Sequence, residues 1–249
     1  MTRLSLLYGL GHAWPKFNPV NDTIRGGRSE SHFATSNPSF ATFSGVLDIT
    51  ALGGAGFASQ STTFAPDRLS LPAGAYSGLS LSLSLPSTRY DDEEKPDSTP
   101  TNYVLVLKNT KPETRPDGRR ESVTSYEFAF DTKDVLTQEK SATGHRVVVR
   151  VDAEWNAFEA TYRGRPQKDA PPLDPSCIYE LSFMCRSNFG QQSGRFSTDI
   201  VSLSAMERRR QSHHERLLVF FARVWQRLTS WVYDVKSWAT RRDGTVRLG

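Results

Sequence analysis

Leu79-Ser80-Leu81-Ser82-Leu83-Ser84-Leu85 is the stretch that decides the fold. Strict period-two alternation puts four leucines on one face of an extended strand and three serines on the other. A helix would scatter the same leucines around its axis. The period recurs along the chain, in aromatic form at Tyr126, Phe128 and Phe130, and further strands are predicted over 43–50, 57–64, 102–108, 125–131, 145–151, 178–186 and 195–203. The breaks between them are rich in Gly, Pro, Asp and Ser. About eight strands without interleaved helical patterns predict an all-β fold, an antiparallel β-sandwich of the jelly-roll kind, rather than an α/β sheet.

A chain of 249 residues accommodates one large β domain with an appendage. The predicted organisation is an N-terminal segment over 1–13, the sandwich over 14–205 and a tail over 206–249. The tail holds ten Lys/Arg against four Asp/Glu, a balance of +6, whereas the whole chain carries +4 and residues 1–205 therefore −2. The basic character belongs to the tail. Two stretches, 89–100 with four acids in series and 109–122 with Pro112, Pro116 and Gly118 among charges, read as solvated loops.

From residue 207 the period changes. Leu217, Phe221, Val224, Leu228, Trp231, Val235 and Trp238 recur at spacings of three and four, with Phe220, Trp225 and Val232 widening the stripe and Arg216, Arg223, Arg227 and Lys236 around it. This is a cationic amphipathic α-helix. Three roles stay open for it: an interfacial anchor on anionic lipid, a helix packed on the sandwich, and a coiled-coil partner. No run of 18 uncharged apolar residues occurs, so no transmembrane span is expected. The first dozen residues, with Arg3 their only charge, are acid-poor like a transit peptide but short; a packed or frayed terminus is the alternative.

Cys177 and Cys185 fall on one predicted strand, about 26 Å apart, too far to bridge. The five histidines show no metal-ligand or catalytic spacing, and His213-His214-Glu215 reads as a solvated polar face. Gly54-Ala55-Gly56-Phe57-Ala58-Ser59 resembles a dinucleotide fingerprint only superficially, because a β run follows where that motif needs a helix. Arg25-Gly26-Gly27-Arg28 is a single copy, not the repeated disordered tract of an RNA-binding element. No catalytic residue, metal, cofactor or nucleic-acid partner is expected.

What remains is a surface suited to binding. Arg25, Arg28 and Ser29 sit beside glycines, as do Tyr162, Arg163 and Arg165 around Gly164. Arginine guanidiniums in such loops grip a carboxylate or phosphate on a partner, although Asp169 and Asp174 stand near Arg163 and Arg165 as internal alternatives. These six residues form the candidate partner-binding set. A second set is the helix stripe, Leu217, Phe221, Val224, Trp225, Leu228, Trp231 and Trp238, for a membrane or a partner helix.

The strings also occur in a telling order. Asn21-Asp22 precedes Gly26-Gly27-Arg28-Ser29-Glu30-Ser31, then come Phe43-Ser44-Gly45 and Gly53-Gly54-Ala55-Gly56-Phe57-Ala58-Ser59-Gln60. Phe158, Thr161-Tyr162-Arg163-Gly164-Arg165, Asp169, Pro172-Leu173-Asp174, Arg186-Ser187, Phe189-Gly190, Gly194 and Phe196 follow. Over about residues 14–205 the chain thus resembles the complex I intermediate-associated protein 30 family, as a short fungal-type member. The resemblance implies a galactose-binding-like β-sandwich and a non-catalytic assembly factor. Its partners would be subunits or assembly intermediates of mitochondrial NADH:ubiquinone oxidoreductase. Location on the matrix side, peripheral to the inner membrane, is implied likewise, with a cytoplasmic location as the alternative. The runner-up function is a carbohydrate- or small-ligand-binding module, by analogy of fold.

Overall fold

The computed structural model describes residues 2–86, 99–114, 116, 120–138 and 146–208. In chain order the strands are β1 (Leu4–Gly9), β2 (Asn18–Pro19), β3 (Glu30–Ala34), β4 (Ala41–Leu47), β5 (Phe57–Thr63), β6 (Tyr76–Pro86), β7 (Asn102–Lys108) and β8 (Ser125–Asp131). The helix α1 (Thr132–Gln138) precedes β9 (Arg146–Glu154), β10 (Glu159–Tyr162), β11 (Arg165–Pro166), β12 (Glu180–Arg186) and β13 (Gly194–Glu207). Short 3-10 turns cover Asp22–Arg25 and Trp155–Ala157.

Two sheets result. The first runs β3-β4-β13-β6-β9, with β1 also paired to β13; the second runs β11-β10-β8-β7-β12-β5-β2. All of these strand pairs are antiparallel. The sandwich is the all-β architecture that the alternation predicts. Leu79, Leu81, Leu83 and Leu85 on β6 point into the space between the sheets, no more than 4% exposed, and meet Leu105, Leu107, Leu181 and Phe183 in one core cluster. Burying each such side chain contributes about 1.5–3 kcal/mol against the chain entropy lost. Phe33 of the first sheet stacks on Phe183 of the second, 5.7 Å between centroids at 3°. Phe17 lies 4.1 Å from the same Phe33, so stacked rings help seal the two sheets together.

The strand ends differ from expectation for local reasons. The strand predicted over 43–50 stops at Leu47 because the Asp48 carboxylate accepts the Thr50 and Ala51 amides and turns the chain. Cys177 does not share a strand with Cys185: β12 begins at Glu180 and Cys177 precedes it in a turn. Neither thiol is in a disulfide, and burial pushes the Cys185 thiol up to about 12. Within residues 1–13, β1 runs along β13, with Leu4 opposite Met206 and Gly9 opposite Ser202. The amphipathic stripe, Leu217, Phe221, Val224, Trp225, Leu228, Trp231 and Trp238, lies outside the described residues.

Candidate functional site

The glycine-rich strings meet around one carboxylate. Asp22 opens the 3-10 turn and is fully buried. Its oxygens accept the Ser29 amide at 3.0 Å, the Ser29 hydroxyl at 2.7 Å and the Phe57 amide at 3.1 Å. A buried carboxylate is costly unless donors surround it, and here three do. The neighbouring glycines make that possible. A Cβ on Gly27 would stand 2.2 Å from the Asp22 carboxyl carbon, and one on Gly56 would stand 2.3 Å from the Asp48 carbonyl oxygen.

Beside it, Asn21 Oδ1 accepts the Ser31 hydroxyl at 2.7 Å and the Ser59 amide at 3.0 Å. Gln60 Nε2 donates to the Ser31 carbonyl at 2.8 Å. Ser31 belongs to β3 in one sheet, while Ser59 and Gln60 belong to β5 in the other. The string of residues 21–31 is therefore a polar clasp between the sheets. Ser29, expected on a partner surface, is corrected by this geometry: it is wholly buried and spent on Asp22 and Asp48.

The third string joins the same end. Ser187 donates its amide to the Gly56 carbonyl at 2.9 Å. Gln192 then ties the loop down, accepting the Thr101 and Asn102 amides at 3.0 Å each on Oε1 and donating through Nε2 to the Arg186 carbonyl at 2.7 Å. Arg186 bonds Asn188 Oδ1 at 3.0 Å and pairs with Glu127 at 2.5 Å. Within this frame Asn188 and Phe189 take φ +46 and +58, and Phe189 is 90% exposed. Phe189 is absent from the sequence-derived set. The signal was present in Asn188-Phe189-Gly190, where two residues suited to left-handed backbone bracket a bulky one.

Strand register sorts the arginines into two groups. Arg25 and Arg28, both exposed, belong to the loop that Asp22 pins beside the start of β5. The Arg25 guanidinium lies 5.8 Å from the Phe57 ring centroid. Asp48, in the adjoining loop, is held below the usual carboxylate range by its hydrogen bond from Thr50 and, to a lesser degree, by the Arg28 charge.

Arg163 and Arg165 lie elsewhere. Tyr162 pairs with Arg165 across a two-residue turn, Arg163-Gly164, with φ +55 and +75, the mirror-image type that suits a tight hairpin. That hairpin sits beyond Ser125 and hence beside Lys108, Glu180 and Thr63. Arg25 and Arg28 sit by Phe57 and Arg186, at the other end of the same strands, about 20 Å away along β5. The expected set is thus two surfaces, not one. The internal alternative for the hairpin is not realised: among the described residues Arg163 and Arg165 make no ion pair, and Arg163 donates to the Ser122 hydroxyl at 3.2 Å. Asp174 instead accepts the Ser176 amide and hydroxyl.

The outer face of the second sheet has a different chemistry. Val104 and Val106 are buried there, flanked by the Lys108–Glu180 and Arg186–Glu127 ion pairs, each 2.5 Å. The exposed large rings among the described residues are Tyr162 and Phe189, which lie at opposite ends of the sandwich rather than on this face. Among the described residues no group of three or more His, Cys, Asp or Glu is placed to hold a metal ion.

Comparison with known proteins supplies the remaining context. A family model described as Complex I intermediate-associated protein 30 matches residues 10–200. An uncharacterized protein of Schizosaccharomyces pombe is 31% identical over 207 residues, which are 81% of this chain and 83% of the relative. A family 11 carbohydrate-binding module of a Clostridium thermocellum cellulosomal cellulase superposes with a TM-score of 0.50, covering 86% of this chain and 99% of that one. Identity to the module is 10%, so the likeness is one of fold.

Proposed function

The chain belongs to the complex I intermediate-associated protein 30 family, and from that membership we propose that it is a non-catalytic binding protein serving assembly of mitochondrial NADH:ubiquinone oxidoreductase. One observation carries the reading beyond membership. The strings by which the chain resembles the family are spent on rigidity: Asp22, Asn21 and Gln192 lock three loops to one another, so Arg25 and Arg28 are presented from a fixed platform. A preorganised surface loses little entropy on docking, which is what a factor that grips a folding intermediate requires. Its partners in this reading are subunits or partly assembled intermediates of complex I, with peripheral membrane contact through the cationic apolar stripe from Leu217 to Trp238, which follows β13 in sequence.

The test is genetic and biochemical. Deleting the gene in cells that make the protein should lower mature complex I on native gels and accumulate subassemblies, and the tagged protein should co-purify with complex I subunits from mitochondria. Normal complex I after deletion, together with no subunit recovered, would overturn the reading. The carbohydrate-binding alternative finds little to recommend it on the sheet face, because a sugar site stacks its rings on exposed aromatic platforms and, among the described residues, the exposed rings stand apart at the two ends.

A further inference from the structure

We propose that Phe189 is the anchor of a protein-docking surface at the clasped end of the sandwich, built to enter an apolar pocket with an acidic rim on the partner. The choice of partner protein rests on the function proposed above; the surface itself rests on backbone, exposure and charge.

The backbone speaks first. Asn188 and Phe189 both take left-handed φ, +46 and +58. Asparagine tolerates that region because its side chain bonds locally, as here to Arg186, but a phenylalanine there is strained. Such strain persists only where surrounding structure over-determines it, and it concentrates at ligand clamps. The surrounding bonds are those of Ser187 to Gly56, Gln191 to Ser187, and Gln192 to Thr101, Asn102 and Arg186. The second sign is exposure. A strained residue usually recovers something by packing, yet Phe189 is 90% exposed and takes part in none of the ring contacts that tie the other phenylalanines together. Among the described residues the ring is a cost without a compensating contact.

Its surroundings suggest what compensates. Ile24, 62% exposed, and the exposed cations Arg25 and Arg28 rise from the loop pinned to the same end through Asp22 and Phe57. Neither arginine forms an ion pair among the described residues. An exposed aromatic at the same end as two exposed guanidiniums, one over the Phe57 ring and one acting on Asp48 only through its charge, matches the make-up of interface anchors, where aromatics and Arg are enriched. Complementarity of charge then calls for acidic groups around the receiving pocket. A lipid surface is the poorer fit: it accepts a ring in any orientation, so a fixed and strained backbone would gain nothing there.

The test uses full-length protein with Phe189→Asn, which keeps a residue at ease with left-handed φ, and Phe189→Tyr, which keeps the ring. Both are expressed in place of the native protein, and complex I subunits are measured in the tagged eluate. Asn should lower recovery about tenfold and Tyr by less than about twofold, while Arg25→Glu/Arg28→Glu lowers it about tenfold. The Asn variant's melting temperature should stay level or rise by about 2 °C, a gain a merely structural phenylalanine would not give. Equal recovery by wild type and Asn variant overturns the docking surface and leaves the proposed function standing. If wild type recovers no complex I subunit, the proposed function fails where deletion of the gene also leaves complex I normal. The docking surface is then judged on the proteins that mass spectrometry identifies with wild type and not with the Asn variant. It survives if one of them, purified, binds about tenfold more weakly to the Asn variant and more weakly still in high salt, and it is overturned if none does. Flotation on cardiolipin–phosphatidylcholine vesicles that depends on Phe189, with no such protein, also overturns it in favour of lipid.

Discussion

The Asp22 carboxylate and the Phe57 amide lie 3.1 Å apart although 35 positions separate them. That bond ties the loop before the first sheet's edge strand, β3, to the opening residue of β5 in the second. It also fixes where Arg25 and Arg28 stand relative to the Phe189 loop, because Gly56, one residue before Phe57, accepts the Ser187 amide.

Replacing Asp22 with alanine leaves the Ser29 and Phe57 amides without their acceptor, whereas the Ser29 hydroxyl still reaches the Asp48 carbonyl. Each unsatisfied buried donor costs about 1–3 kcal/mol, so the expected destabilisation is at least about 2 kcal/mol. Urea denaturation should show a lower midpoint, and a loss below about 1 kcal/mol would mean that the clasp contributes little.

Charge reversal at Arg163 and Arg165 should leave stability within about 0.5 kcal/mol of wild type, since both are exposed and unpaired among the described residues. If both ends of the sandwich contact the partner, reversal at Arg25/Arg28 and at Arg163/Arg165 should combine additively in binding free energy, as befits sites about 20 Å apart. A binding titration of the two double variants and the quadruple variant checks this. Strong non-additivity would contradict two separate contacts.

Cys185 yields a prediction in pH. Its buried thiol is pushed up to about 12, from an ordinary value of 9. The unfolded chain releases that proton near pH 9 while the folded chain keeps it, so the stabilising difference is intact below pH 9 and is lost as pH rises toward 12. Burial raises the Tyr103 hydroxyl as well, with the same sign. Stability by denaturant titration should decline across this range by about 1.4 kcal/mol per pH unit for each proton retained. In native protein at pH 8, iodoacetamide should label the half-exposed Cys177 and spare Cys185, giving one added group by mass.

Much of this was legible in residue order. β7 and β8 run as expected: Tyr126, Phe128 and Phe130 alternate along β8, and Tyr103 to Leu107 is a short, β-branched-rich apolar run, buried on both faces, too short for a helix. β3 was missed: Glu30-Ser-His-Phe-Ala carries one large apolar residue, Phe33, and its partner β4 supplies the rest of the packing. α1 was missed because its seven residues span only two turns, too few to establish a period. The strings around Gly27 and Gly56 were visible as motifs, but their purpose was not, since the carboxylate they shelter is a tertiary neighbour. Nor could sequence place Arg163 at the far end from Arg25: the hairpin's location follows from β10 pairing with β8, a register set by distant strands.

β13 has a kinetic consequence. It pairs with β4 through Gly194–Ile200, with β1 through Ser202–Met206 and with β6 along most of its length. The first sheet is therefore organised around the last of the described strands to be synthesised. Ala41 waits for Ile200 and Leu4 for Met206, so closure of the sheet involves long loops and should be slow. Until then β4 and β6 carry open edges, and an incomplete chain invites foreign strands. The chain passes through synthesis with its central seam unfilled.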